Sequence, residues 1–144
     1  MISSIKLEKM TSIIDVDHLN FEKEVIKSEH PVVVEFYSHG CPHCKKFKPV
    51  FEKLAESYDK GIDFARFDVM NSESDRQFVF NHGIHGVPTI ELYYEGRHIG
   101  NMVGYHTLEK TEKTITDFLE KKDIHVGPHT HIDQLNTQNN PSKH

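Results

Sequence analysis

Two rhythms of hydrophobic and polar positions take turns along this chain. Val32-Val33-Val34-Glu35-Phe36-Tyr37 is a β-branched, nearly continuous apolar run, the pattern of a central strand buried on both faces. Cys44, Phe47, Phe51, Leu54, Ala55 and Tyr58 then recur at helical spacing and predict a long helix from Pro42 to about Tyr58. Pro49 lies inside it, deprives the Lys45 carbonyl of its donor and should kink the helix. Upstream, Ser12-Ile13-Ile14 predicts a short strand. A helix follows from about Asp17, with Phe21, Val25 and Ile26 on one face, and stops before Pro31.

Downstream, Ile62 to Val69 predicts another strand. Ser72-Glu73-Ser74-Asp75 has the form of a capping box, opening a short helix that Gly83 closes. Thr89 to Tyr94 and His98 to Val103 alternate around Glu95-Gly96-Arg97 and predict a hairpin. A last helix starts near Thr107 and presents Leu108, Ile115, Phe118 and Leu119. The order βαβαβαββα predicts an α/β domain: a mixed five-stranded sheet with helices on both faces.

Composition removes several function classes. The 144 residues have room for one domain with a hydrophobic core. Net charge is −5, with no long basic run, which argues against nucleic acid as a partner. No apolar stretch is long enough to span a bilayer, so no membrane role is expected. Two cysteines cannot staple a small secreted scaffold. The opening MISSIKLEK lacks the apolar segment of a secretory signal, so a reducing, cytoplasmic setting is expected. Composition shifts near Lys122: the last 22 residues hold only Ile124, Val126, Ile132 and Leu135 as hydrophobics. Such a stretch cannot offset its ordering entropy and reads as a flexible tail. The expected division is a lead segment 1–10, a domain 11–122 and a tail 123–144. The tail's His125, His129 and His131 are read as part of that tail rather than as metal ligands.

The two cysteines are Cys41 and Cys44, in Cys41-Pro42-His43-Cys44, where the central strand hands over to the long helix. Pro42 suits the first helical position, where an N–H would have no partner in any case. Cys41 is thereby set at the helix mouth, where unpaired N–H groups and the helix dipole stabilise negative charge on its sulfur. The thiolate is the nucleophile. Cys44, three residues on, shares the face and is placed to close a disulfide with Cys41.

With these residues in view, the chain resembles the thioredoxin family over about residues 11–122. Phe36-Tyr37-Ser38-His39-Gly40-Cys41 follows the strand, and Pro49 falls five residues after Cys44, where the family kinks this helix. Gly83-Ile84-His85-Gly86-Val87-Pro88-Thr89 resembles the family's cis-proline loop, and Val103-Gly104 resembles its last groove segment. The resemblance implies the thioredoxin fold and thiol–disulfide exchange with protein disulfides, with no cofactor beyond the cysteine pair. Cys41 would attack, Cys44 would resolve, and Glu35 would stand for the family's buried acid and exchange a proton with Cys44. Gly40, Gly86, Val87, Pro88, Val103 and Gly104 would receive an extended substrate strand. The implied partners are substrate proteins and a reductase that recycles the dithiol, with the chain acting as a monomer.

Two departures bear on that expectation. The family's Trp before the first cysteine is Gly40 here, and the chain has no Trp at all, which leaves the groove more open. The pair between the cysteines is Pro42-His43 rather than Gly-Pro, similar to bacterial periplasmic disulfide oxidases. A partly protonated His43 should stabilise the Cys41 thiolate and make the disulfide more oxidising. Reductase, oxidase and isomerase directions therefore all stay open. So do two other classes, an adaptor of the same fold and a zinc-stabilised domain in which His82 and His85 complete a site with the cysteines.

Overall fold

Strand β2 (Val32–Tyr37) is the axis of the molecule because all six of its residues are buried. Val33 enters one core with Phe47, Phe51, Leu54, Ile115 and Leu119. Val32, Val34 and Phe36 enter a second core with Phe21, Val25, Phe67, Val79 and Ile84. One strand thus serves two apolar layers, which is why its sequence shows no polar alternation.

The computed structural model describes residues 13–58 and 61–126. The expected lead segment, Ser12 of the first strand, and the tail beyond Val126 lie outside the described residues. In chain order the elements are β1 (Ile13–Val16), a π-helical stretch (Glu22–Ile26), β2, α1 (Pro42–Ser57) and β3 (Asp63–Asp68). They continue with α2 (Glu73–Asn81), β4 (Thr89–Tyr94), β5 (Arg97–Val103) and α3 (Leu108–Lys121). The five-stranded sheet has the order β1-β3-β2-β4-β5. β1, β3 and β2 are mutually parallel, while β4 runs antiparallel to both β2 and β5. Residues of α1 and α3 fill the first core, and residues of the π-helical stretch and α2 fill the second, so helices cover both faces.

Most element signals are realised close to where the pattern puts them. Thr107 caps α3 by accepting from the Lys110 N–H at 3.2 Å. Glu95 and Gly96 both have positive φ, 54° and 76°, and make the two-residue turn that hairpins favour. α1 continues through Pro49, which faces outward.

Two expectations need correction. The helix expected from Asp17 winds more loosely. Asp17 caps its start by accepting from the Leu19 and Asn20 N–H groups, and the Lys27 N–H then reaches back to the Glu22 carbonyl, five residues away. The wider turn lets Phe21, Val25 and Ile26 all pack against the second core. At α2, Ser72 does accept from the Asp75 N–H at 3.0 Å, but the Asp75 carboxylate does not complete a capping box. It receives the His18 N–H and Nδ1 at 2.8 and 2.7 Å, together with Asn71 Nδ2 and Ser72 Oγ. Burial opposes the charge on Asp75, yet these donors outweigh it and hold the carboxyl at about 2.

Candidate active site

β2 ends at Tyr37, and the chain then turns tightly enough for the Cys41 N–H to reach the Ser38 carbonyl at 3.4 Å. Cys41 follows in extended conformation as the N-cap of α1, with Pro42 opening the helix. Its sulfur does the work that a Ser or Asp oxygen does at ordinary helix starts, accepting from the Cys44 N–H at 3.1 Å. One of the free first-turn donors of the helix, the Cys44 N–H, is therefore aimed at the sulfur. Both cysteines are free thiols; Cys41 is half-buried and Cys44 is 2 % exposed.

A second backbone approaches from across the sheet. The Cys41 thiol lies 3.8 Å from the Val87 carbonyl oxygen, to which it donates, and the Val87–Pro88 peptide is cis. The Gly104 N–H donates to the Pro88 carbonyl at 2.7 Å, binding the Val103–Gly104 segment to the same loop. Thr89 Oγ1 closes the loop from within by donating to the Gly86 carbonyl at 2.8 Å. Gly86, Val87, Pro88, Val103 and Gly104 thus form one connected rim, with Val103 exposed and Cys41 beside Val87.

Beneath the helix mouth sits Glu35, 0 % exposed in the middle of β2. Its Oε1 accepts from Arg66 Nε at 3.0 Å, and its Oε2 has no partner among the described residues. Loss of water lifts this carboxyl from 4.5 to about 7, with Arg66 pulling the other way. Cys44 is pushed up to about 12, first by burial and then by its hydrogen bond with Cys41; negative charge on Cys41 or Glu35 adds to this. The buried sulfur holds its proton at neutral pH, and Glu35 is a carboxylate poised to change state there.

A family model described as thioredoxin matches residues 12–117. This chain belongs to the thioredoxin family. A thioredoxin of Peptoclostridium acidaminophilum is 34% identical over 87 residues, covering 60% of this chain and 76% of the relative. One of Alicyclobacillus acidocaldarius is 32% identical over 102 residues, covering 70% and 92%. A protein disulfide-isomerase of Ricinus communis is 30% identical over 118 residues, covering 80% of this chain but 23% of that longer protein. As a thioredoxin-family member with its two cysteines one helical turn apart, the protein is a thiol–disulfide oxidoreductase. Its mixed five-stranded sheet with flanking helices is the thioredoxin fold.

Within this thioredoxin-family site, the structure separates histidines that the sequence left together. His43 is exposed in the first turn of α1. His39 turns away to Asp68, 3.3 Å distant, with its ring edge-on to Tyr37. His82 stacks on Phe78 and pairs through Nδ1 with the Phe78 carbonyl, while His85 packs against Phe80. Among the described residues no three His, Cys, Asp or Glu side chains are grouped as a metal ion needs. Among them, too, no helix is long and apolar enough to cross a membrane.

Sequence reasoning missed Arg66. It sits opposite Glu35 in the β2–β3 register and lays its guanidinium 3.9 Å from the Tyr37 ring centroid. The signal was present as Glu35 in one strand and Arg66 in another that also carries Asp63 and Asp68, but only the register shows which of these faces Glu35.

Proposed function

We propose that this protein is a thioredoxin-type reductant of protein disulfides, with a potential on the oxidising side for that role. The observation that carries the reading is the Cys44 N–H held 3.1 Å from the Cys41 sulfur at the start of α1. A donor fixed there favours the charged, attacking form of Cys41, while the burial of Cys44 keeps the second thiol in reserve.

The chemistry runs in two exchanges. The Cys41 thiolate attacks one sulfur of the substrate disulfide, forming a mixed disulfide and releasing the other substrate sulfur as a thiolate that takes up a proton. Cys44 then gives its proton to Glu35, and its thiolate attacks Cys41 Sγ. The Cys41–Cys44 disulfide forms as the second substrate thiolate leaves. That thiolate takes up a proton in turn and Glu35 gives up the one it received, so that two electrons and two protons have passed to the substrate and Glu35 is again a carboxylate. No group other than the cysteine pair carries electrons, and a separate reductase must return the protein to the dithiol. Gly40, Gly86, Val87, Pro88, Val103 and Gly104 hold the substrate strand; the Val87 backbone at Cys41 supports this, since a main-chain edge pairs with extended peptide of any sequence. Pro42 and His43 tune the thiols. The protein acts as a monomer in a reducing, cytoplasmic setting.

The isomerase or oxidase direction is the second reading, favoured by His43 between the cysteines and by the similarity to a disulfide-isomerase. Turnover of a protein disulfide by the parent, Cys41→Ser and Cys44→Ser tests the mechanism. Cys41→Ser should be inactive, and Cys44→Ser should accumulate a mixed disulfide at Cys41. Persisting activity in Cys41→Ser would remove the mechanism, and a parent without turnover whose partner binding survives Cys41→Ser would be an adaptor. Equilibration against glutathione buffers then gives the direction.

A further inference from the structure

The opening of α1 carries charge of the sign that a helix start disfavours. Lys45, Lys46 and Lys48 follow Cys44 almost at once, and the first acid of the helix is Glu52. Backbone N–H groups already make this end positive, so cations here oppose the helix dipole. Lys45 and Lys48, three residues apart, repel each other as well. By contrast, α2 and α3 begin with Glu73, Asp75 and Glu109.

The lysines are not held alike. Lys48 is answered by Glu52, 2.6 Å away. Lys46 is exposed, and its Nζ lies 4.6 Å from the centroid of the Tyr105 ring; among the described residues no carboxylate pairs with it. A ring face attracts an ammonium without cancelling its charge, so the seat fixes where the charge stands and leaves it able to attract. Tyr105 is fixed in its turn. Its ring stands edge-on to the buried Phe47, and it follows Gly104, whose N–H is tied to the Pro88 carbonyl. Cys41 lies against the Val87 carbonyl, one residue before Pro88. A short run of contacts thus joins the attacking sulfur to an unpaired ammonium. His43 precedes Lys46 by one turn on the same stripe of α1, and His106 donates to the Val103 carbonyl at 3.0 Å beside Tyr105.

The surroundings indicate what this charge receives. The whole chain has a net charge of −5. On the β1–β3 side of β2, Asp15, Asp17 and Asp68 line a polar cavity. An acidic partner is repelled in most orientations and drawn in where Lys45 and Lys46 stand, so charge selects the partner and sets its approach.

We propose that Lys46, seated on Tyr105, is a specificity-determining residue that receives an Asp or Glu side chain of the substrate within a few residues of the cysteine under attack. The proposal rests on the thiol reading above and adds the substrate class: protein disulfides flanked by a carboxylate.

The test uses the full chain and a set of disulfide-linked peptides, with one Glu, Gln or Lys at each position up to three residues either side of the cysteine. Hydroxyethyl disulfide, which has no carboxylate, reports the thiols alone. Each preference is read as a ratio within one variant, so changes in the thiols themselves cancel. At low ionic strength the parent should prefer Glu over Gln at one position by about fivefold in kcat/KM, and added salt should erode that preference. Lys46→Gln should reduce it to under about twofold, and Lys46→Glu should turn it toward the Lys peptide. Both changes fall on an exposed side chain and leave the core intact. Tyr105→Phe should keep the preference, and Tyr105→Leu, which loses the seat, should lose most of it. No preference for Glu in the parent, one that survives Lys46→Gln, or one that a folded Tyr105→Leu leaves whole would overturn the proposal. A parent that fails on hydroxyethyl disulfide as well would overturn the thiol reading, and the carboxylate preference with it.

Discussion

Arg66 Nε donates to one oxygen of Glu35 at 3.0 Å and leaves the other without a partner among the described residues. The folded protein holds the Glu35 proton up to about 7, against 4.5 for an ordinary glutamate. Native protein therefore binds this proton more tightly than the unfolded chain, and stability falls as pH rises from about 4.5 through about 7. Glu35→Gln removes the penalty. Arg66 is not stranded, because it keeps the Tyr37 ring and borders a polar cavity shared with Asp15, Asp17 and Asp68. The reduced variant should gain about 1–3 kcal/mol near pH 8 and show nearly flat stability from there down to about pH 5. Urea unfolding at both ends of that range checks it. Parallel losses in parent and variant would mean that Arg66 already neutralises the carboxylate.

The same carboxyl governs the second exchange. Only its ionised form accepts the Cys44 proton, so release of substrate from the mixed disulfide should speed up as pH rises through about 7. Glu35→Gln should lose that rise and slow the step by about a hundredfold. Stopped-flow decay of a fluorescent mixed disulfide measures both. An unchanged profile would assign the proton to water.

Cys41 and Cys44 should differ sharply toward iodoacetamide. Cys41 is half-buried at the helix mouth, while Cys44 is 2 % exposed and holds its proton up to about 12. Brief treatment of the dithiol at neutral pH should label Cys41 almost alone, as mass mapping would show. Equal labelling would defeat the assignment of attacking and resolving roles.

His43 is the residue to change for the potential. Replacing Pro42-His43 with Gly-Pro removes an exposed imidazole from the first helical turn after the attacking sulfur and should lower the reduction potential by roughly 20–65 mV, the equivalent of about 1–3 kcal/mol of lost thiolate stabilisation. Equilibration with glutathione measures it. A change under about 10 mV would leave the helix start in sole charge of the sulfur.

Asp75→Asn should cost about 2 kcal/mol at neutral pH, because an amide cannot accept from all four donors that converge on this buried carboxylate. The native carboxyl is held at about 2 against 3.8, so the advantage of Asp over Asn should shrink as pH falls through that interval. Denaturant unfolding at neutral and acid pH checks the sign. A constant difference would mean that shape rather than charge decides the site.

What could be read from the chain and what could not divide along a physical line. Val32 to Tyr37, the turn at Glu95-Gly96 and the Thr107 cap are local signals whose meaning does not depend on distant partners. The Cys41–Cys44 contact belongs with them, since helix geometry alone carries it. Asp75 failed as a local signal because its strongest donors come from His18, 57 residues away, and these outcompeted the nearby cap. The loosened helix after Asp17 follows the demand of the second core for Phe21, Val25 and Ile26 together, which 3.6-residue spacing does not foresee. Arg66 needed the sheet register, which the periodicity does not state.

The strand order β1-β3-β2-β4-β5 carries a consequence for how freely this protein can change. After β2 the chain crosses through α1 to β3 on one side, and it returns through α2 to β4 on the other. Connections that part in this way open a crevice beyond the carboxyl end of the middle strand, whatever side chains are present. The address of the site is therefore written in the threading of the backbone, and Gly40, His43 and Lys46 are furnishings installed there. Redirecting the protein to a new partner or a new potential is a task for its loops and the outer face of one helix, with all five strands left as they are.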